Sequence, residues 1–323
     1  MNVLLVGLGY VGKPLGEKLA RLGHRVVGLR KSEQPRPSGV SVIHGDATDP
    51  NTLSALDSDF DQLVVLLSAG ERGEAAYERT YVGGAKTLRA AFPRARLLWV
   101  SSTGVYADDA GEIVTDETTP RAPSGTGAVL LRAESVVKTG PHLIVRPSGI
   151  YGPERTTLLE RLARGGIGPD EREVWTNRIH RDDLVRLLTL CIERPTLAGT
   201  LLASDPEPAQ LGAMQDWVQA ELALHFPPSE AGAGADDGPA MGSDEEGVSP
   251  LPPSVARTDR AERAARAARA ARVSRAARAA AERKSRRIQP TRLTDLGFEW
   301  RYPSYRDGYA PLLADLGPTG SRS

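Results

Sequence analysis

The residues of this sequence that could do chemistry gather at a few strand-end turns. The run Gly7-Leu8-Gly9-Tyr10-Val11-Gly12 follows an apolar segment at once and opens an amphipathic one. In that setting G-x-G-x-x-G holds a dinucleotide. Gly7 permits a tight turn, Gly9 lets the backbone approach a pyrophosphate, and Gly12 allows a helix to pack closely on a strand. The start of the helix, with Tyr10 and Val11 in the turn, adds free N–H groups and a partial positive charge. Glycine-rich turns also occur in α/β sheets without ligands, so the motif needs its context.

That context includes the next strand ends. An NAD site places an acid about 20 residues beyond the glycines to hold the ribose hydroxyls. Here the position carries Arg30-Lys31. A guanidinium suits a 2′-phosphate through paired hydrogen bonds, so NADP is expected ahead of NAD; the alternative is that both cations are merely solvated. Gly45-Asp46-Ala47-Thr48-Asp49 follows the third apolar run. Asp46, beside Ala47, would accept from an adenine amino group, and the same acid and threonine suit the cap of a helix near Pro50. Ser68 and Ala69 end the fourth run and complete the cofactor-facing set. The fifth run ends in Ser101-Ser102-Thr103-Gly104-Val105-Tyr106, which puts hydroxyls where ligands of open α/β sheets sit. Ser102, Thr103 and Tyr106 are the candidate catalytic residues. The single cysteine, Cys191, rules out a disulfide within the chain and any cysteine-built zinc site, and no metal is expected.

These turns need a sheet to hold them. Apolar runs at Val3–Val6, Arg25–Leu29, Val40–Ile43, Gln62–Leu67, Arg96–Val100 and His142–Val145 read as strands buried on both faces. Amphipathic stretches fill the gaps at Val11–Leu22, Asn51–Leu56, Ala75–Ala91 and Val129–Lys138. The rhythm predicts an α/β fold, a doubly wound parallel sheet of Rossmann type. A Gly- and Pro-punctuated segment follows Pro147, then a helix Arg181–Glu193 and a short strand Thr200–Ala203. The expected organisation is a nucleotide-binding core over 1–225 with substrate-side segments interleaved at 147–177, an acidic disordered linker over 226–256, an Arg/Ala-rich helical insertion over 257–287, and a C-terminal segment, 288–323, returning to the substrate region.

The glycine turn, Gly45-Asp46, Ser101 to Tyr106, Arg146-Pro147-Ser148-Gly149-Ile150-Tyr151-Gly152-Pro153 and Asn177-Arg178-Ile179-His180-Arg181-Asp182-Asp183-Leu184 together resemble the extended short-chain dehydrogenase/reductases, of the sugar-nucleotide epimerase and dehydratase type. The resemblance covers roughly residues 1–225 and resumes at the tail. It implies a Tyr-x-x-x-Lys pair on the helix after the fifth strand. Counted back from Glu134, which matches the family's helix glutamate, those positions hold Thr126 and Leu130, while Ser102 matches the family's hydroxyl. The absent pair and the tail Leu296-Gly297-Phe298-Glu299-Trp300-Arg301-Tyr302-Pro303-Ser304-Tyr305 resemble the atypical members of that superfamily. The opening glycines also look like UDP-glucose dehydrogenases, which need a catalytic cysteine; Cys191 instead sits in the apolar pattern of a helix. Tyr106, Tyr151 and acids such as Glu117 stand as substitutes for the missing proton donor, with pocket-wall roles as the alternative for the two tyrosines. His180 reads as a structural hydrogen-bonding residue, with contact to substrate or to the loop after Arg146 as the alternative. A homodimer is implied by the resemblance.

Of 323 residues, 40% are apolar and 25% charged, and 41 basic residues cancel 41 acidic ones. The chain as a whole therefore does not advertise a polyanionic partner. No apolar stretch reaches membrane-spanning length and no leader is evident, so no membrane is expected and the cytoplasm is the default location. Residues 257–287 carry eleven arginines and one lysine against three acids, a local excess of nine charges. Such an arm could grip phosphates; a solvated insertion, part-neutralised by the preceding acids, is the alternative, and nucleic acid is not the expected partner. Two readings of function remain. One is an NAD(P)-dependent oxidoreductase or epimerase acting on a small carbonyl or sugar-like molecule; the other is a cofactor-binding sensor or structural protein without turnover.

Overall fold

The computed structural model describes residues 1–57, 59–71, 73–106, 111–225 and 286–316. The acidic linker and the run 257–285 lie outside the described residues, so their expected character is not addressed by it. Seven strands form one parallel sheet: β1 (Asn2–Val6), β2 (Arg25–Arg30), β3 (Val40–His44), β4 (Gln62–Val65), β5 (Arg96–Val100), β7 (His142–Pro147) and β11 (Gly199–Ala203), in the order β11-β7-β5-β4-β1-β2-β3. The chain leaves β1 toward β3, then crosses to β4 on the other side. This reversal opens a crevice beyond the carboxyl ends of β1 and β4, where doubly wound sheets bind ligands.

Alternation along β1 explains why the strands look apolar throughout. Val3 and Leu5 pack on one face with Leu15 and Leu19 of α1 (Gly12–Arg21) and Leu184 and Leu188 of α7 (Arg181–Glu193). Leu4 and Val6 pack on the other with Leu88 of α4 (Gly84–Ala91) and Val129 and Ala133 of α5 (Gly125–Val137). With successive side chains pointing to opposite faces, both must be apolar when helices cover both. The expected single helix Ala75–Ala91 is instead α3 (Glu74–Tyr77), a π-helical stretch Glu78–Gly83 and α4. A wider turn of this kind leaves apolar spacing nearly intact and is invisible to periodicity. The helix expected from Val129 starts a turn earlier, at Gly125.

Beyond the sheet, α6 (Thr157–Ala163), α8 (Leu211–His225) and the helix Tyr305–Leu313 share a separate core built on Leu159, Met214 and Tyr309. Arg286 and Arg287, read from sequence as the end of the Arg/Ala run, belong to a strand, β13 (Arg286–Ile288), parallel to β6 (Glu112–Val114). Asn177 fastens it: its Nδ2 donates to the Arg286 carbonyl at 2.9 Å and its Oδ1 accepts from Ile288 N–H at 2.7 Å. Asp116 accepts from Leu202 N–H (2.7 Å), Arg292 N–H (3.0 Å) and Thr291 Oγ (3.1 Å). Asp183, wholly buried, accepts from Arg301 N–H (2.9 Å) and Tyr302 N–H (2.8 Å). Three polar side chains thus clamp the returning segment to the core.

Candidate functional site

The glycine turn leads from β1 to α1 in the way its sequence requires. Gly7 has φ +106°, and a Cβ there would lie 2.5 Å from the Leu66 carbonyl oxygen; at Gly12 it would lie 2.0 Å from the Gly7 carbonyl oxygen. Gly9 differs: open space surrounds it. The α1 ladder begins with Lys13 N–H donating to the Gly9 carbonyl at 3.0 Å, so the amides before it point out of the helix end. The turn borders a cleft of about 680 Å³, whose walls bring together Gly9, Tyr10, Val11, Gly12, Ser68 and Ser102. Thr126 and Leu130 also line it.

The other sequence-nominated residues stand elsewhere. Arg30 is buried at the end of β2, its guanidinium donating to the backbone carbonyls of Gln34 and Pro35. Lys31 is exposed and its Nζ lies 2.7 Å from Asp46 Oδ2, while Asp46 Oδ1 accepts from Thr48 N–H at 2.9 Å. Hydrogen bonds from Lys31 and Thr48 hold the Asp46 carboxyl below its ordinary range against the opposing effect of desolvation, the largest single influence. Ala47 is buried and its carbonyl accepts from Thr87. Ala69 is half-buried, outside the cleft wall. Thr103 is buried and absent from the cleft wall.

Tyr106 points into the protein, not into the cleft. Its hydroxyl accepts from Arg146 Nη1 at 2.7 Å, and burial pushes its pKa up. Arg146 in turn forms a buried bidentate pair with Glu134, Nε to Oε1 at 3.0 Å and Nη2 to Oε2 at 2.5 Å. Ser101 Oγ–H donates to the same Glu134 Oε1 at 2.7 Å. Ser102 has the opposite polarity: its Oγ accepts from Gly104 N–H at 3.0 Å, which leaves its O–H for a cleft ligand. Of the two adjacent serines, Ser102 is therefore the one whose O–H is free for a ligand, that of Ser101 being taken by Glu134. Tyr151 is also buried away from the cleft, 4.7 Å from Tyr309 ring to ring. Glu117 is exposed, with its pKa lowered by a hydrogen bond to Thr115, so it lacks the desolvation a general base would need. His180 caps α7, its Nδ1 accepting from Asp182 N–H at 3.2 Å, and its ring packs 3.9 Å from that of Tyr302.

Sequence reasoning missed Tyr77, Tyr81 and Arg155, all on the cleft wall. Tyr81 O–H donates to the Leu67 carbonyl at 3.2 Å, and burial pushes its pKa up to about 12. Tyr77 packs beside it at 5.0 Å between ring centroids. Both lie on the helical stretch that looked like plain amphipathic packing; Arg155 could have been noticed as the basic residue just past Tyr151-Gly152-Pro153. Among the described residues, no group of three or more His, Cys, Asp or Glu is placed to hold a metal ion, and no helix is long and apolar enough to cross a membrane.

Comparison with known proteins bears on this geometry. The chain is 32% identical over 210 residues to protein YeeZ of Escherichia coli K12, covering 60% of this chain and 74% of YeeZ. A solved structure from Methylobacillus flagellatus, named for the NAD-dependent epimerase/dehydratases, superposes with a TM-score of 0.71 at 26% identity, covering 97% of each chain. The Bordetella bronchiseptica enzyme WbmG, in complex with NAD, gives a TM-score of 0.67 over 97% of this chain and 93% of its own; at 18% identity that likeness speaks for the fold alone. Residues 3–199 match the NAD dependent epimerase/dehydratase family. With the Rossmann sheet and its glycine turn in place, this chain belongs to that family.

Proposed function

We propose that the chain is an NAD(P)-dependent oxidoreductase or epimerase-like enzyme acting on a small carbonyl or sugar-like substrate, with NADP as the preferred cofactor. The observation that carries this reading is one cleft in which the open space over Gly9 meets Ser102 with its O–H free. The turn fits a dinucleotide: Gly9 has space where a phosphate must approach, and the free helix amides supply donors. Gly9 to Gly12 would hold the pyrophosphate, and Lys31 and Asp46 the adenosine end. The missing acid after β2 favours a 2′-phosphate there, for which Lys31, exposed but paired with Asp46, would have to turn from that carboxylate, with Arg30 shaping the loop through Gln34 and Pro35.

Reduction of a carbonyl at this site needs a hydride at carbon, which the bound dinucleotide supplies, and a proton at oxygen, which the chain must supply. Ser102 donates a hydrogen bond to the substrate oxygen and polarises it. Thr126 and Leu130 cannot replace a tyrosine and lysine. Tyr10 O–H is bound to the Pro153 carbonyl, and Tyr81 is bound to a carbonyl and weakly acidic, which leaves Tyr77 as the phenol of the cleft wall to deliver the proton. A positioned acid of this kind contributes on the order of 10²- to 10⁴-fold in rate.

A second reading, binding without turnover, is favoured by Thr126 and Leu130 at the cleft wall. The neighbour WbmG was solved with NAD and UDP, and nucleotide sugars are accordingly the first compounds to screen. Turnover of NADPH with a carbonyl or nucleotide-sugar substrate, lost in Ser102→Ala and reduced in Tyr77→Phe, supports the enzyme; tight NADPH binding with no turnover across the screen supports the second reading. The proposal also carries a cytoplasmic location, supported by the single cysteine, and a homodimer, supported by the family resemblance and tested by light scattering.

A further inference from the structure

Among the described residues lining the cleft, Arg155 is the only charged one. The rest of the wall is apolar, hydroxylic or backbone, and Arg155 forms no salt bridge among the described residues. A lone cation bordering a ligand cleft calls for an anion on the ligand, because the charge is otherwise balanced only by solvent. Its placement says which anion. The guanidinium carbon stands 5.3 Å from the centroid of the Tyr10 ring, and Tyr10 belongs to the glycine turn itself. Tyr10 O–H donates to the Pro153 carbonyl at 2.8 Å, so the turn that carries Arg155 is fastened to the turn that opens α1. Gly152 permits this approach: a Cβ there would come within 3.0 Å of Tyr10 Oη and 3.1 Å of His180 Nε2.

We propose that Arg155 is the anion-binding side chain of the cleft and that it closes on the pyrophosphate of the bound dinucleotide, opposite the amides of the glycine turn. This rests on the reading that the cleft takes NAD(P). Arg181 provides an internal contrast. It too lies against the Tyr10 ring, at 5.1 Å, but it borders the crevice on the other side of the glycine turn, which shares Gly9 and Tyr10 with the cleft and also holds Lys13, Glu17 and Glu154, and its Nε donates to Asp182 at 2.9 Å. Its charge is already answered within the protein.

The test is a set of calorimetric titrations of the full chain and of Arg155→Gln, Arg155→Lys and Arg181→Gln with NADPH, NADH and ADP-ribose, which has the pyrophosphate without the nicotinamide. The expected result is a loss of about tenfold or more in Arg155→Gln for all three ligands alike, with an intermediate loss in Arg155→Lys, which keeps the charge but not the planar fork. Arg181→Gln is expected to stay within about twofold. Arg155 is exposed, so melting temperatures should match; if the Gln variant does not fold, the Lys variant carries the comparison. Unchanged affinity for ADP-ribose in both Arg155 variants overturns the proposal, as does an equal loss in Arg181→Gln. Weakened binding of UDP to the NADH-loaded Gln variant, with NADH affinity intact, also overturns it and assigns Arg155 to a substrate anion. Failure of the unaltered chain to bind any of the three ligands overturns the cofactor reading itself, a distinct result.

Discussion

Glu134→Gln is the substitution whose cost the structure specifies most closely. Glu134 and Arg146 are 1% and 2% exposed, and the pair is bidentate, with Ser101 and Tyr106 completing the ring of partners. Glutamine keeps the shape and an acceptor for Ser101 but removes the charge that answers Arg146, leaving a guanidinium buried and unpaired. Removing one member of a buried pair costs about 3–5 kcal/mol, whereas replacing both by apolar residues of similar volume is often neutral. The assay is urea denaturation at neutral pH of Glu134→Gln and of the double variant Glu134→Leu/Arg146→Met, read at constant slope. The single variant should lose about 3 kcal/mol or more, and the double variant should recover most of it. A loss below about 1 kcal/mol in the single variant, or a double variant no more stable than the single, would show that the pair does not hold the end of β5 as described. The consequence reaches function, since Ser101 and Ser102 lie at that strand end.

Asp183→Ala removes the acceptor for Arg301 N–H and Tyr302 N–H and should cost about 3 kcal/mol or more by two charge-assisted bonds, with new protease cleavage near residues 296–304 as the readout. Burial lowers the pKa of His180 below its ordinary value of 6.5, against the opposing pull of Asp182 and Asp183. The unfolded chain then binds the extra proton first, so stability should be full above pH about 6.5 and fall as pH drops from there toward the folded value; His180→Gln should flatten that part of a stability–pH curve, and an unchanged slope would count against it. Asp205 has the opposite sign. Both its carboxylate oxygens lack a well-formed hydrogen bond, the Glu207 amide approaching only loosely, and burial raises its pKa well above the ordinary carboxyl value. Stability should decline as pH rises from about 4, and Asp205→Asn should be more stable than the unaltered chain at pH 7; a less stable variant would mean that the charge is answered, Arg178 being the cation whose charge acts on it.

Much of the fold was legible because the inner strands are buried on both faces: β1, β2, β4, β5 and β7 could be read as apolar runs; β3 was found the same way, although as an edge strand it is mostly exposed and not buried on both faces as expected, and α7 matched its expected bounds, Arg181–Glu193. The glycine turn was legible because Gly7 and Gly12 are forced by sterics that leave no room for a side chain, while Gly9 borders open space. What stayed hidden depends on distant partners. β13 is a three-residue strand masked by its arginines, and it exists because Asn177, over a hundred positions away in sequence, bonds both its sides. Tyr106 looked like a pocket residue because it sits at a strand end; its direction is set by Arg146, forty positions on. Tyr77, at the end of α3, and Tyr81, in the π-helical stretch that follows, both line the cleft, and a π turn changes rotation without changing composition. Arg30 was rightly placed at the end of β2, but the loop it binds through Gln34 and Pro35 carries no signal of that contact.

The central claim is that this cleft holds a nicotinamide dinucleotide on the glycine turn, with NADP preferred. It is tested most directly by calorimetric titration of the purified chain with NADPH and NADH, alongside Gly12→Ala, whose Cβ would lie 2.0 Å from the Gly7 carbonyl oxygen, and Lys31→Ala. NADPH should bind more tightly than NADH, Lys31→Ala should narrow the difference, and Gly12→Ala should abolish binding of both. Binding of neither nucleotide by the unaltered chain, or equal binding by Gly12→Ala, would contradict it.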